Sequence, residues 1–195
     1  PQVQLPPSAI ASSRPDLRFQ GHYLYASANE SLLMTVASYG TGIDQRFERL
    51  NPPTARATLR VMAAARADGV WLVPISGYRD EALQEQLFRT QIARLGSPEV
   101  AATVSAPPGY SEHHTDYAID FGDGASPQTD ITTAFEQTAA FQWLALYANQ
   151  YGFELSFLRD NPQGIQYEPW HWRYVGSAHA AATFEQARSL TRDDF

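Results

Sequence analysis

Two residue types are missing altogether. None of the 195 residues is cysteine, and all 14 basic residues are arginine, so the chain has no lysine. Without cysteine there can be no disulfide scaffold, thiolate zinc site, iron–sulfur cluster or cysteine nucleophile. Any metal must be held by histidine and carboxylate, and there are only five histidines. Positive charge is also scarce. With 21 Asp+Glu the formal net charge is −7, which argues against a nucleic-acid partner, because phosphate binding needs a clustered positive surface. No segment approaches the roughly 18 consecutive apolar residues of a membrane span. The first residues, PQVQLPPSAIASSRPD, show no basic start and no apolar run, so no signal peptide is visible.

What is present suits a folded chain: 44% of residues are hydrophobic and 18% charged. One domain is expected at this length, over residues 21–195, with residues 1–20 as a Pro/Ser-rich linker or arm of the kind that tethers a domain to an anchor. Asn51 and Pro52–Pro53 open a helix carrying Ala55, Leu59, Met62, Ala63 and Ala67 at helical spacing. VWLVPIS (70–76) reads as a strand. Asp80 caps a second helix that ends at Gly96 and carries Leu83, Leu87 and Ile92 on one face. YAIDF (117–121), FELSFL (153–158) and WHWRYV (170–175) read as strands, and residues 132–151 and 177–190 as helices. The expected fold class is α+β: a small, mostly antiparallel central sheet flanked by helices, with the site at the sheet edge.

Three segments hold most of the unusual residues: SGYRD (76–80), SEHHTDYAID (111–120) and YEPWHWRYVG (167–176). A catalytic zinc site takes three ligands from His, Asp or Glu and leaves the fourth position open. His113, Asp120 and His171 can converge only if the strands at 117–121 and 170–175 are neighbours in one sheet. Glu168, three residues before His171, would then stand near the metal without ligating it, where it can take a proton. Each residue also has an ordinary reading. A single histidine is more often a hydrogen-bonded core or surface residue, Glu168 can face solvent, and WHWRYV can be an aromatic core strand. Asp120 is harder to set aside, because a carboxylate inside an apolar strand needs a partner.

Taken together and in order, SGYRD with Gln84, then SEHHTDYAID, then EPWHWRYVG, resemble the VanY-type D-alanyl-D-alanine carboxypeptidases, zinc peptidases of bacterial cell-wall metabolism. The resemblance covers roughly residues 45–176. It implies His113, Asp120 and His171 as ligands of one zinc ion per chain, and Glu168 as general base. Arg79 would stabilise the oxyanion, as a fixed, permanently charged guanidinium can. Ser111 and Gln84 would hydrogen-bond the substrate, and Tyr78, Trp170 and Trp172 would wall the cleft. The implied reaction removes the terminal D-Ala from peptidoglycan stem peptides, with L,D-carboxypeptidase, D,D-dipeptidase, endopeptidase and silent wall-peptide-binding readings as alternatives. The implied partner is a stem peptide ending in D-Ala, met by a monomer in the periplasm or cell envelope.

One position departs from the family pattern. Asp116 stands where the family usually has glycine, four residues before the aspartate ligand. Aspartate is among the few residues that tolerate positive φ there, and it could also bring an extra carboxylate to the metal. His114 is read as facing away from the site, and His22 and His179 lie outside every motif.

Overall fold

The computed structural model describes residues 18–190. A short hairpin, β1 (Arg18–Phe19) and β2 (His22–Tyr23), is followed by a second one, β3 (Met34–Ala37) and β4 (Phe47–Leu50). Helix α1 (Pro52–Ala67) leads into β5 (Leu72–Ser76), then α2 (Glu81–Leu95) and the short α3 (Pro98–Ala102). After β6 (Ala118–Asp123) come α4 (Ala139–Tyr147), β7 (Phe153–Leu155) and β8 (His171–Tyr174), and two short helices close the chain, α5 (Ala178–Thr183) and α6 (Glu185–Ser189). The linker expected over 1–20 falls mostly outside the described residues, and its last part, Arg18–Phe19, is β1.

Helix boundaries follow local chemistry. The Asn51 side chain accepts from Thr54 N, with Pro52 and Pro53 in the first turn of α1. Asp80 accepts from Leu83 N at the start of α2, and Gly96 closes it at φ 92. Two expected helices are broken. Over 132–151 the chain forms a 3-10 turn at Thr133–Gln137, then Thr138 caps α4 by accepting from Phe141 N, and a second 3-10 turn ends at Gly152. The helix expected over 177–190 divides at Phe184, which is fully buried and meets Tyr25 edge-on at 5.7 Å. Burying that ring outweighs unbroken helix geometry.

The inward faces also differ from the expected stripes. In α1 Leu59 is exposed, whereas Ala55, Thr58, Val61, Met62 and Ala65 face the core. In α2 Leu83 and Leu87 are exposed and Gln84 and Phe88 are buried. The helix is turned so that a glutamine points inward, which is tolerated because every polar atom of Gln84 is bonded.

The central sheet has the order β5-β6-β8-β7, and every pairing is antiparallel. Ile119 pairs with Trp172, and Phe153 with Tyr174. These side chains join residues of α1 and α4 in the main core. Alternation along each strand sends Asp120, His171, Arg173 and Glu154 to the opposite face. There Asp120 lies opposite His171 on β8 and, across an irregularity between Pro74 and Ser76, opposite Ser76 on β5. That irregularity shifts the register by one residue and brings Ser76, rather than Ile75, level with Asp120. Asp120 and His171 lie on β6 and β8, flanked on the same face by Ser76 of β5 and Glu154 of β7.

Candidate metal centre and active-site cleft

His113 lies in the 3-10 turn Glu112–Thr115, capped by Ser111, whose hydroxyl accepts from His113 N. Asp116 ends the turn at φ 58, ψ 9, the left-handed conformation that its residue type tolerates. Its side chain does not join the metal-type cluster. Asp116 Oδ1 accepts from Asn51 Nδ2 at 2.6 Å, at the start of α1. Burial raises its pKa to about 6 despite that bond.

His113, Asp120 and His171 each offer one ligand atom, all within 4.8 Å of one another, and all three residues are buried. His113 Nδ1 donates to the Gly77 carbonyl at 2.7 Å, which leaves Nε2 3.3 Å from Asp120 Oδ2. His171 Nδ1 lies 3.0 Å from Asp120 Oδ1, and its Nε2 donates to Glu112 Oε2 at 2.9 Å. Each imidazole therefore has one nitrogen anchored by protein oxygen and one turned to Asp120. This is the arrangement that fixes ring orientation when a histidine binds metal. With two nitrogens, one carboxylate and no thiolate, the donor set suits a divalent cation of the zinc type.

Charges around the triad separate sharply. Burial lowers the His113 pKa to about 4, against the pull of Asp120. His171 is raised to about 10, because its bonds to Asp120 and Glu112 outweigh burial. Asp120 is held far below the usual carboxylate range; burial opposes this, and the two histidines prevail. The two glutamates diverge most. Burial would raise Glu112, yet Arg173, His171 and Ser156 hold it down to about 2. Glu168 has burial and the charges of Asp120 and Glu112 against it, opposed chiefly by His171, and rises to about 8. Two carboxyls whose environments drive them apart are suited to different tasks.

Glu168 Oε2 lies 3.9 Å from His171 Nδ1, and the Glu168 carbonyl accepts from His171 N. The Arg79 guanidinium is fixed from two sides, donating to Ser76 Oγ and Gln84 Oε1 at 2.8 Å each, with Nη2 3.8 Å from Asp120 Oδ2. These groups open onto a cleft of about 310 Å³, also lined by Ser111, Gln84 and Trp170. Two expected wall residues are elsewhere. Tyr78 is not in the cleft lining, and its hydroxyl donates to Glu30 Oε1. Trp172 is buried in the core, donating to the Pro169 carbonyl.

The family model for VanY D-alanyl-D-alanine carboxypeptidases matches residues 47–177. The chain belongs to this family. One relative, the bifunctional D-Ala-D-Ala dipeptidase and D-Ala-D-Ala carboxypeptidase VanXYC of Enterococcus gallinarum, is 35% identical over 119 residues, 60% of this chain and 62% of that protein. The solved structure of the LdcB LD-carboxypeptidase has 30% identity and a TM-score of 0.67, covering 88% of this chain and 80% of that one. VanYB, solved in complex with D-alanine-D-alanine, has 28% identity and a TM-score of 0.58, covering 71% and 78%. The chain spans 32–62% of the length of the curated relatives it matches.

In this VanY-type chain, three residues that the sequence reading left without a role shape the site. Glu112 sits beside His113 in the motif, but its partners Ser156 and Arg173 are 44 and 61 residues away. His114 is neutral and buried: Nδ1 donates to the Arg79 carbonyl, and Nε2 accepts from Gly109 N, which ties two cleft loops together. It faces away from the triad, as read from the sequence. His22 lines the cleft although it lies outside the matched segment. No local signal marks any of the three, since each role depends on partners distant in the chain.

Proposed function

We propose that the chain is a zinc-dependent D-alanyl-D-alanine carboxypeptidase that removes the terminal D-Ala from peptidoglycan stem peptides. The observation that carries this reading is the buried His113–Asp120–His171 triad with Glu168 at its side, in one cleft with Arg79. His113 Nε2, Asp120 and His171 Nδ1 would hold the ion, which supplies a Lewis acid that polarises the scissile carbonyl and acidifies a water. Glu168 takes a proton from the attacking water and returns it to the departing D-Ala amine. Arg79, held rigid by Ser76 and Gln84, donates to the oxygen on which negative charge develops. Gln84 acts through Arg79, because its own polar atoms bond Arg79, Ser105 and the Ala106 carbonyl. Ser111 and Trp170 meet the peptide from the cleft wall. No covalent intermediate is needed.

The likeness to the LdcB LD-carboxypeptidase supports a second reading, cleavage after an L-residue on the same scaffold. Incubation of the zinc-loaded protein with tri-, tetra- and pentapeptide stems, followed by mass spectrometry, separates the two. Loss of one D-Ala from the pentapeptide supports the D,D reading. Exclusive trimming of the tetrapeptide replaces it with the L,D reading, and cleavage within the stem overturns both. Binding of wall peptides without hydrolysis would leave a silent binding domain. The substrate lies outside the cytoplasmic membrane, so we assign the protein to the periplasm or cell envelope, as a monomer, to be checked by fractionation and sedimentation.

A further inference from the structure

The hairpin that carries His22 is locked onto the cleft loops. Gly21, at φ +87, lies so close to the Gln163 carbonyl that an added Cβ would be 2.1 Å from that oxygen, and Gln163 Nε2 donates to the Gly21 carbonyl. Further on, Tyr25 N donates to Gly109 O and Ala28 N to His114 O. His22 is 4% exposed and lines the cleft. Its Nε2 faces the Ala102 carbonyl at 2.8 Å and must therefore donate. The neutral ring then has one polar atom left, Nδ1, a lone-pair acceptor with no hydrogen-bond partner among the described residues. Phe157 packs near both histidines, its ring 6.5 Å from His22 and 5.0 Å from His171. Burial lowers the His22 pKa, which keeps the ring neutral and Nδ1 an acceptor.

A neutral acceptor in the same cleft as the triad repels the substrate's terminal carboxylate and attracts an N–H. We propose that His22 is a substrate-binding residue whose Nδ1 accepts a hydrogen bond from an N–H of the stem peptide on the acyl side of the scissile bond. This rests on the carboxypeptidase reading and adds to it a contact from outside the family-matched segment.

Two substitutions divide the ring's functions. His22→Gln can keep a donor on the Ala102 carbonyl but removes the acceptor at the Nδ1 position, whereas His22→Asn keeps an acceptor there and gives up the Ala102 bond. In the zinc-loaded enzyme His22→Gln is expected to raise the KM for the pentapeptide by about five- to tenfold, with kcat within about twofold of wild type. His22→Asn is expected to keep a near-wild-type KM and a lower melting temperature. Calorimetric binding of the pentapeptide to Glu168→Gln protein should weaken by the same factor when His22→Gln is added. Stems with lysine or norleucine at the third position identify the donor: a penalty confined to lysine indicates the ammonium, and an equal penalty indicates a main-chain amide. A wild-type KM in His22→Gln, or equal KM rises in both variants, overturns the proposal while the carboxypeptidase reading stands. A wild-type protein that cleaves no stem peptide removes that reading first.

Discussion

Replacing Glu112 tests whether the histidine that lies opposite Asp120 is held in place from behind. Its carboxylate is 4% exposed and accepts from His171 Nε2 at 2.9 Å, Ser156 Oγ at 2.6 Å and Arg173 Nη1 at 3.0 Å. Glu112→Gln keeps the volume, but an amide has one acceptor oxygen where the carboxylate has two. It can face His171 and Ser156, turning its NH2 toward Arg173, or face Arg173 and abandon His171. Loss of such an outer contact to a metal-binding histidine weakens metal affinity by roughly 10–100-fold, or about 1.4–2.7 kcal/mol. The metal-free fold should also lose stability. Removing one partner of a buried charge pair costs roughly 3–5 kcal/mol, but Arg173 keeps Glu154 Oε1 at 2.8 Å, so about 2 kcal/mol is expected. Zinc competition against a chromophoric chelator at pH 7.5, with urea unfolding of the metal-free protein, measures both. Zinc affinity within twofold of wild type would refute the reasoning, since His171 would then hold its orientation without Glu112.

Glu168→Gln is expected to retain zinc by metal analysis and to lose hydrolysis by at least about 10²-fold, because the amide cannot take the proton from water. Asp116→Asn should stabilise the protein at pH 7.5. The Asp116 pKa is raised to about 6 from 3.8, so its favourable contribution is fully present below pH 3.8 and is lost as pH rises through 6. The difference is roughly 3 kcal/mol in a dry site, and partial contact with water reduces it to about 1 kcal/mol. Urea midpoints of the two proteins should converge near pH 4. Asn51→Ala removes both the α1 cap and the donor to Asp116, so a loss of about 1–2 kcal/mol is expected in the same assay.

Local signals were legible where chemistry acts within a turn of chain. Asn51, Asp80, Gly96 and Gly152 mark real helix ends, because a cap bonds only three or four residues away. The inward faces of α1 and α2 were less legible. Apolar spacing nominated Leu59, Leu83 and Leu87, yet what each helix packs against decides its rotation, and that surface comes from other parts of the chain. Tyr78 shows the same limit, because its hydroxyl turns to Glu30 on a 3-10 turn 48 residues earlier.

By itself the sequence determined which atoms were available. Lacking cysteine, it left metal chemistry to histidine and carboxylate, and the order of its motifs singled out His113, Asp120, Glu168 and His171. Tertiary structure alone decided what each of those groups is. The antiparallel register sets Asp120 beside His171, and long-range contacts give Glu112 three donors, whereas Glu168 stands mostly buried with no ion pair to arginine among the described residues. Two glutamates of identical covalent structure thereby end near pKa values of about 2 and about 8. The reason is physical: a carboxyl's proton affinity depends on the donors and charges within a few ångströms, and those are brought together by folding rather than by neighbouring letters.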